Sequence, residues 1–395
     1  IGAALARLGV HAADLRASEQ TGRLFPTLDA DGSYSRQTNN LATFGISLPG
    51  FPLVTPDFNL YTVDARASQV LFDGSLFNRI AAARDSSVAA RNDARSAADP
   101  AGAAAGLAYL RVLSAEETVK ARQADSAVAA DLLFQAQQLR AAGVSAAIDV
   151  TRAEVNAAAV RTQLLVARST AERARIELAQ TLDLRPDTAL ALADSLGGGA
   201  LTIPVNADSA VAYALAHRPE AAAERERSRV AQLSRRATLW ESLPTLGLFG
   251  SYDYAGTATD QMNGTYQVGI KASVPIFDGF RRQRRYAESG DRVDAQALRE
   301  HALLQQVEVD ARSAVLDLQS ARDQVALASQ RLGLAEQELS QSEERFKAGV
   351  AGSVETSNSQ ASLIQARDAY IQAKVNFATA RLRTYRALGA LDQMP

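Results

Sequence analysis

The chain has 395 residues, 47% of them hydrophobic, 22% charged and only 6% aromatic, with a formal net charge of -2. That length allows one large core or two domains, and the near-neutral balance leaves no basic footprint for a polyanion, which argues against nucleic acid as a partner. Cysteine is absent, which excludes disulfides, thiolate metal sites and a cysteine nucleophile, and suits an oxidising compartment.

The sequence opens at Ile1 without a basic and apolar leader, so any signal peptide lies outside it. A short helix is expected first, then a strand over about 27–36, where "TLDADGSYSR" alternates loosely. A loop rich in Gly, Pro, Asn and Thr, "QTNNLATFGISLPGFPLVTPDFN", leads to a second strand over about 60–72. There Tyr61, Val63, Ala65, Ala67 and Leu71 alternate with Thr62, Asp64, Arg66 and Ser68. One apolar and one polar face, at about the length that a tilted strand needs to cross a bilayer, is the pattern of a barrel wall. No window reaches 18 consecutive apolar residues, so a transmembrane helix is excluded and any membrane crossing must use a barrel.

"VLFDG" at 70–74 is the next signal. It reads as a strand-to-helix corner: Phe72 packs under the rim of the sheet, Asp73 accepts from free N–H groups of the first helical turn, and Gly74 tolerates the bend. Helix formers then run from 74 to 142, a rod of roughly 100 Å at 1.5 Å per residue, in which Pro100 predicts a kink or a helix junction. "AAGVSAA" at 141–147 predicts a hairpin tip. Gly143 would be its left-handed helix end, Val144 part of the turn and Ser145 the cap of a returning helix over about 145–183. On that helix Ala153, Ala157, Val160, Leu164, Ala167, Ala171, Ala174 and Leu178 recur at coiled-coil steps of three and four. A connector over 184–208 and short helices around "AHRPE" follow.

Trp240 precedes two more expected strands, about 245–254 and 265–277, separated by "AGTATDQMNGT". Tyr266, Val268, Ile270, Ala272, Val274 and Ile276 alternate with Gln267, Gly269, Lys271 and Ser273. With Tyr34, Tyr61, Tyr252 and Tyr254 in the same strands, the aromatic rings stand where a lipid boundary would place them; the other reading is a soluble antiparallel sheet whose tyrosines pack on a core. "PIFDG" at 275–279 repeats the corner with Phe277, Asp278 and Gly279. A second long helix over about 279–348 carries the heptad seam Leu318, Ala321, Val325, Ala328, Leu332, Ala335, Leu339, Ser342 and Phe346. "KAGVAGS" at 347–353 is a second tip, with Gly349, Val350, Gly352 and Ser353, and a last helix runs over about 353–390. "RRQRRY" at 281–286 reads as a solvated basic face or as a contact with anionic headgroups of a membrane leaflet.

The chain therefore reads as a duplication. "AAGVSAAIDV" and "KAGVAGSVET" lie 206 residues apart, and 1–205 and 206–395 are two repeats of short helix, two strands, long helix, turn and helix. This constellation resembles the outer membrane efflux protein family of TolC-like channel-tunnels. The resemblance implies a mainly α fold with a membrane β part: long antiparallel coiled-coil hairpins and four strands per protomer, joined in a trimeric 12-stranded β-barrel continuous with an α-helical barrel. An oligomer follows from physics as well, because four strands cannot close a barrel and open edges do not survive in lipid.

The same resemblance implies an outer-membrane exit duct with a large periplasmic part, serving a tripartite efflux or type I secretion system. Its partners would be two further copies of itself, outer-membrane lipid, a periplasmic adaptor docking on the Gly-containing tips, and an inner-membrane pump of the RND, ABC or MFS class. At the tips, Asp149 matches a family gate aspartate; two further aspartates fall on Glu355 and Asn358, the gate tyrosine on Phe346 and the gate arginine on Ala351. Asp149 and Glu355 would form a cation-favouring ring, or both are helix-start carboxylates meeting the positive dipole end.

Catalytic signatures such as GxSxG, GxxxxGK[ST] and HExxH are absent, and His11, His217 and His301 are scattered, so neither enzyme chemistry nor a metal or other cofactor is expected. The rival from another class is a soluble coiled-coil scaffold.

Overall fold

The computed structural model describes residues 2–45, 50, 52–188, 190–196, 202–350 and 352–394. Parts of the first inter-strand loop and of the 184–208 connector, and Ala351, lie outside the described residues. The elements in chain order are α1 (Gly2–Gly22), β1 (Thr27–Gln37), β2 (Phe58–Phe72), α2 (Gly74–Ser96), α3 (Asp99–Ala141), α4 (Ala147–Thr181), α5 (Ala207–His217), α6 (Pro219–Trp240), β3 (Thr245–Gly256), β4 (Asn263–Ser273), α7 (Arg281–Lys347) and α8 (Ser353–Ala387). None of the described helices is long and apolar enough to cross a membrane.

The chain divides into two units, each drawing on both halves of the sequence. One comprises Ala4–Asn92 and Ala223–Glu300 and holds the sheet; the other is built from Asp93–Ala222 and His301–Pro395, with residues 1–3.

In the sheet unit the strands follow the order β1-β2-β3-β4, all antiparallel. The pairs Thr27↔Ser68, Phe72↔Leu246 and Thr245↔Ser273 lie at one end. Helices α1, α2, α6 and α7 all join the sheet there, because each borders a strand at that end. Between Val70 and Phe72 the register slips by one residue against β3, a bulge at Leu71. The expected alternation ran through Leu71, but the extra residue hands the outward position to Phe72, which pairs with Leu246. β4 ends at Ser273 rather than continuing to 277, since Pro275 has no N–H to add to the ladder.

The helical unit buries the seams that the heptads mark. Leu318, Ala321, Ala335, Leu339, Ser342 and Phe346 are each no more than 6% exposed. They pack against α8 and the ends of α3 and α4, with Leu363 and Ala366 on Leu339, and Ala380 on Leu318. Small residues at alternate seam positions let two backbones approach closely. Of the kink or junction expected at Pro100, the structure has a junction: Ala97 and Ala98 leave the helix and Pro100 takes the first turn of α3, where its missing N–H costs nothing. Leu196 and Ile203 from the connector return to the core beside Leu382 and Tyr385, and the Tyr385 hydroxyl meets Thr202 Oγ1 at 2.8 Å.

One polar cluster sits inside this unit. Asp125 on α3 is 1% exposed; it accepts from Arg122 at 2.6 Å and is bonded by Arg367 of α8, while Arg122 also grips Asp368. Asn156 of α4 donates at 2.6 Å to Gln360 of α8 in the same layer. The buried Asp125 holds because it has opposite partners, and the charges tie α3 to α8 while the amide pair ties α4 to α8.

Candidate functional site

Two constellations were expected to carry function, the strand-to-helix corners and the hairpin tips, and the sheet adds a third. Residues paired across strands share a face. One face of the sheet therefore carries Leu28, Ala30 and Tyr34, then Tyr61, Val63, Ala65 and Ala67, then Leu246, Leu248, Tyr252 and Tyr254, and finally Tyr266, Val268 and Ile270. The other carries Asp29, Asp31, Ser33, Thr62, Asp64, Arg66, Ser251, Asp253, Gln267 and Lys271. On this polar face Ser33 and Thr62 bond at 2.6 Å, Thr27 and Ser68 at 2.8 Å, and Arg66 reaches Asp64 at 2.8 Å. Tyr266, Val268 and Ile270 are 81, 71 and 69% exposed, so the described residues lay no core over this part of the apolar side.

At the first corner Asp73 accepts from the backbone N–H groups of Ser75 and Leu76 at 2.9 and 3.1 Å, the N-cap geometry. Gly74 is required for another reason than the expected bend. Its φ is not in the left-handed region; a Cβ there would stand 1.7 Å from Trp240 Cε3. Trp240 thus ends α6 by lying on the start of α2 and does not belong to the strand face. The second corner is built differently: Gly279 and Phe280 have φ of 71° and 63°, and Asp278 receives both the backbone N–H and the guanidinium of Arg282, the latter at 3.1 Å. Phe72 and Phe277 are exposed, each edge-on to a second ring, Phe77 at 6.2 Å and Phe280 at 5.4 Å.

The tips end α3 and α7 in the same way. Gly143 and Gly349 have φ of 74° and 70°, the Val144 and Val350 amides reach back to Leu139 O and Arg345 O at 2.9 and 3.0 Å, and the glycine amides reach Arg140 O and Phe346 O. This paired bond pattern is the Schellman turn, which needs a left-handed residue. Val144 and Val350 stand 62 and 71% exposed, and Ile148 and Val354 on the next turn are half exposed. A methyl at Gly349 would lie 3.5 Å from Val144 Cγ1, so the two tips are neighbours.

Neither serine caps its helix. Ala146 and Gly352 hold the N-cap positions, and both hydroxyls turn to one carboxylate: Ser145 donates to Asp149 at 2.9 Å, and Ser353, from the other tip, bonds its second oxygen. The Ser353 hydroxyl is the main cause that holds the Asp149 carboxyl below its ordinary value; partial burial opposes it, and Ser145, the Ala146 amide and Arg152 add to it. Glu355 is not a free acid, since Arg345 sits 3.0 Å away. Asn358 is exposed. Phe346 was expected at a gate, but it is 4% exposed and packs on Ala136 and Val150, because its seam position turns the ring into the helix bundle. Among the described residues of the expected set, Asp149 joins the two hairpins by a hydrogen bond and Phe346 by packing. The counterpart serine at 353 was recognisable in "KAGVAGS", but its partner was not.

His217 stacks on Tyr213 at 3.9 Å, and the described residues hold no cluster suited to a metal ion.

A sheet with opposite chemistry on its two faces, helices hung from one end and two matched hairpin tips define a membrane channel subunit. The model of the outer membrane efflux protein family matches residues 4–183 and 210–390, and the chain belongs to that family: it is an outer-membrane exit duct for efflux systems, with a large periplasmic part, and not an enzyme. The outer membrane efflux protein BepC of Brucella suis biovar 1 (strain 1330) is 25% identical over 339 residues, 84% of this chain and 73% of that one. Among solved structures, the outer-membrane channel OprN superposes with a TM-score of 0.79 at 20% identity, covering 98% of this chain and 86% of that one. CusC gives 0.81 at 17%, over 98% and 88%. The MtrE outer membrane channel of Neisseria gonorrhoeae gives 0.78 at 20%, over 99% and 86%.

Proposed function

We propose that three copies of the chain close one twelve-stranded barrel whose apolar face meets lipid and whose polar face lines water, with the two sequence repeats acting as structural equivalents around it. The observation that carries this reading is the register itself, which sorts every strand into the same two faces while leaving β1 and β4 as open edges. Eight strands would leave an interior filled by side chains; twelve leave a lumen. The duct is passive, and energy comes from an inner-membrane pump of the RND, ABC or MFS class, in a tripartite efflux or type I secretion assembly.

The tips dock the periplasmic adaptor. Support comes from their four exposed branched side chains, Val144, Ile148, Val350 and Val354, which give an apolar contact of the kind that buried interface centres use. Asp149 and Ser353 hold the two hairpins of one protomer together, and opening separates them. The acidic contribution at the mouth falls to Asp149, because Glu355 is balanced by Arg345.

Two measurements test this. The purified protein in detergent should have the mass of a trimer, and Val144→Glu with Val350→Glu should abolish crosslinking to the adaptor while leaving that trimer intact. A monomer that stays in the aqueous fraction, or full efflux by the double variant, would overturn the reading.

A further inference from the structure

The basic run at 281–286 is not spent by the duct, and the structure separates its arginines into two sets. Arg282 is held by Asp278 and donates to Pro275 O at 2.9 Å, and Arg285 pairs with Glu241 at 3.0 Å, an acid that Arg79 also grips. These side chains, with Tyr286 beneath Arg235 and the buried Ser289, form the packed face of α7. Arg281 and Arg284, three residues apart on another face, are exposed, and no described residue gives either of them a side-chain partner. Two exposed cations are therefore left without an acidic partner among the described residues, and Glu288, one turn beyond Arg284, is taken by Arg292.

Their position is the second observation. They open α7 directly below the end of the sheet where all four helices attach, and the segment that leads to them is an apolar collar. Ile276 is 93% exposed, Phe277 73% and Phe280 62%. The alternation of β4 runs on in the sequence past its last paired residue, Ser273, through Val274 to Ile276. Apolar wall, aromatic rings and then cations, in that order along the chain, is the sequence of layers from hydrocarbon through interface to headgroup. Guanidinium groups on long stems reach the phosphate level while their methylenes stay against the collar.

We propose that Arg281 and Arg284, with the Phe277–Phe280 pair, form a docking site for anionic phospholipid headgroups of the periplasmic leaflet, the phosphate bridged by the two guanidinium groups. This rests on the outer-membrane reading above and goes beyond it by naming the lipid class and the residues. Charge complementarity favours lipid over a second copy of the chain. The element at the opposite edge of the sheet is α1, which carries Arg7 and Arg16; of its two acids, Asp14 is held by Ser87 and Arg91, and Glu19 faces Arg23, just past the helix end, at 3.8 Å. The site belongs to one repeat only, because after the first corner the matching stretch "SLFNRIAA" has Arg79 alone, tied to Glu241.

The purified protein is placed in mixed micelles with equal phosphatidylglycerol and phosphatidylethanolamine, and the lipids that remain bound are quantified by native mass spectrometry. Wild type should enrich phosphatidylglycerol, less so at high salt. Arg281→Gln with Arg284→Gln should cut the enrichment about fivefold or more and remove its salt dependence, while Arg281→Lys with Arg284→Lys retains most of it. Equal enrichment in the Gln variant overturns the proposal. So does loss of the oligomer with enrichment per chain unchanged, which would assign the face to a contact between copies. A wild-type protein that partitions into water and takes up no lipid would sink the membrane reading itself, a failure recognisable before any variant is made.

Discussion

At the tips Asp149 bonds a serine of each hairpin, and its titration has a sign. Its carboxyl is held below the ordinary 3.8 chiefly by the Ser353 hydroxyl, so the contact is at full strength above that value and fades as pH falls through the lower native one. The protection of the tip amides, taken relative to their intrinsic exchange at each pH, is expected to hold from neutral pH to about 4 and to fall only below it. Ser353→Ala removes the main cause, so the onset should move to higher pH. An unchanged onset would mean that Ser353 does not set the carboxyl. Gly74 gives a second test at this scale. Ala there drives a methyl into the Trp240 ring, an overpacking expected to cost about 1–3 kcal/mol. It should appear as a lower melting temperature and a shifted Trp240 emission, whereas Gly279→Ala strains only a left-handed backbone and should leave that emission alone.

Among the elements, α3 and α8 depend on a buried charge cluster that adds register rather than apolar area. Asp125→Ala leaves Arg122 and Arg367 without their buried acid and should cost about 3–5 kcal/mol; Asp368→Ala, whose carboxylate is 47% exposed, should cost less. Thermal denaturation of both variants side by side tests the order. Phe346 belongs to the same scale. As a packed seam residue, Phe346→Leu should lower stability with little change in conductance, whereas a gate role would show the reverse.

Across the whole molecule, the polar face of the sheet sets the charge of the proposed lumen. Asp29, Asp31, Asp64 and Asp253 stand there against Arg66 and Lys271, a net negative wall repeated in every copy of a closed ring. Planar-bilayer recordings under a salt gradient should give a reversal potential of cation-preferring sign. Asp29→Asn with Asp253→Asn should shift it toward zero, and both effects should shrink at high salt. An anion-preferring wild type would place the apolar face, not this one, against the lumen.

Periodicity made most of the architecture legible. Steps of three and four marked the seams from Ala157 to Leu178 and from Leu318 to Phe346, and period two marked the strands, because burial repeats with the geometry of each element and leaves its trace in composition. Gly143 and Gly349 could be assigned for the same local reason, since a helix ending in a Schellman turn needs a residue that tolerates positive φ. What lay beyond the sequence were the pairings between distant segments. The Ser353 bond to Asp149, the ring of Trp240 on Gly74, the bulge that exchanges Leu71 for Phe72, and the division of "RRQRRY" into bound and exposed arginines all join residues with no fixed spacing along the chain. Local propensity and pattern report which way a side chain faces; only the packed chain decides what it meets there.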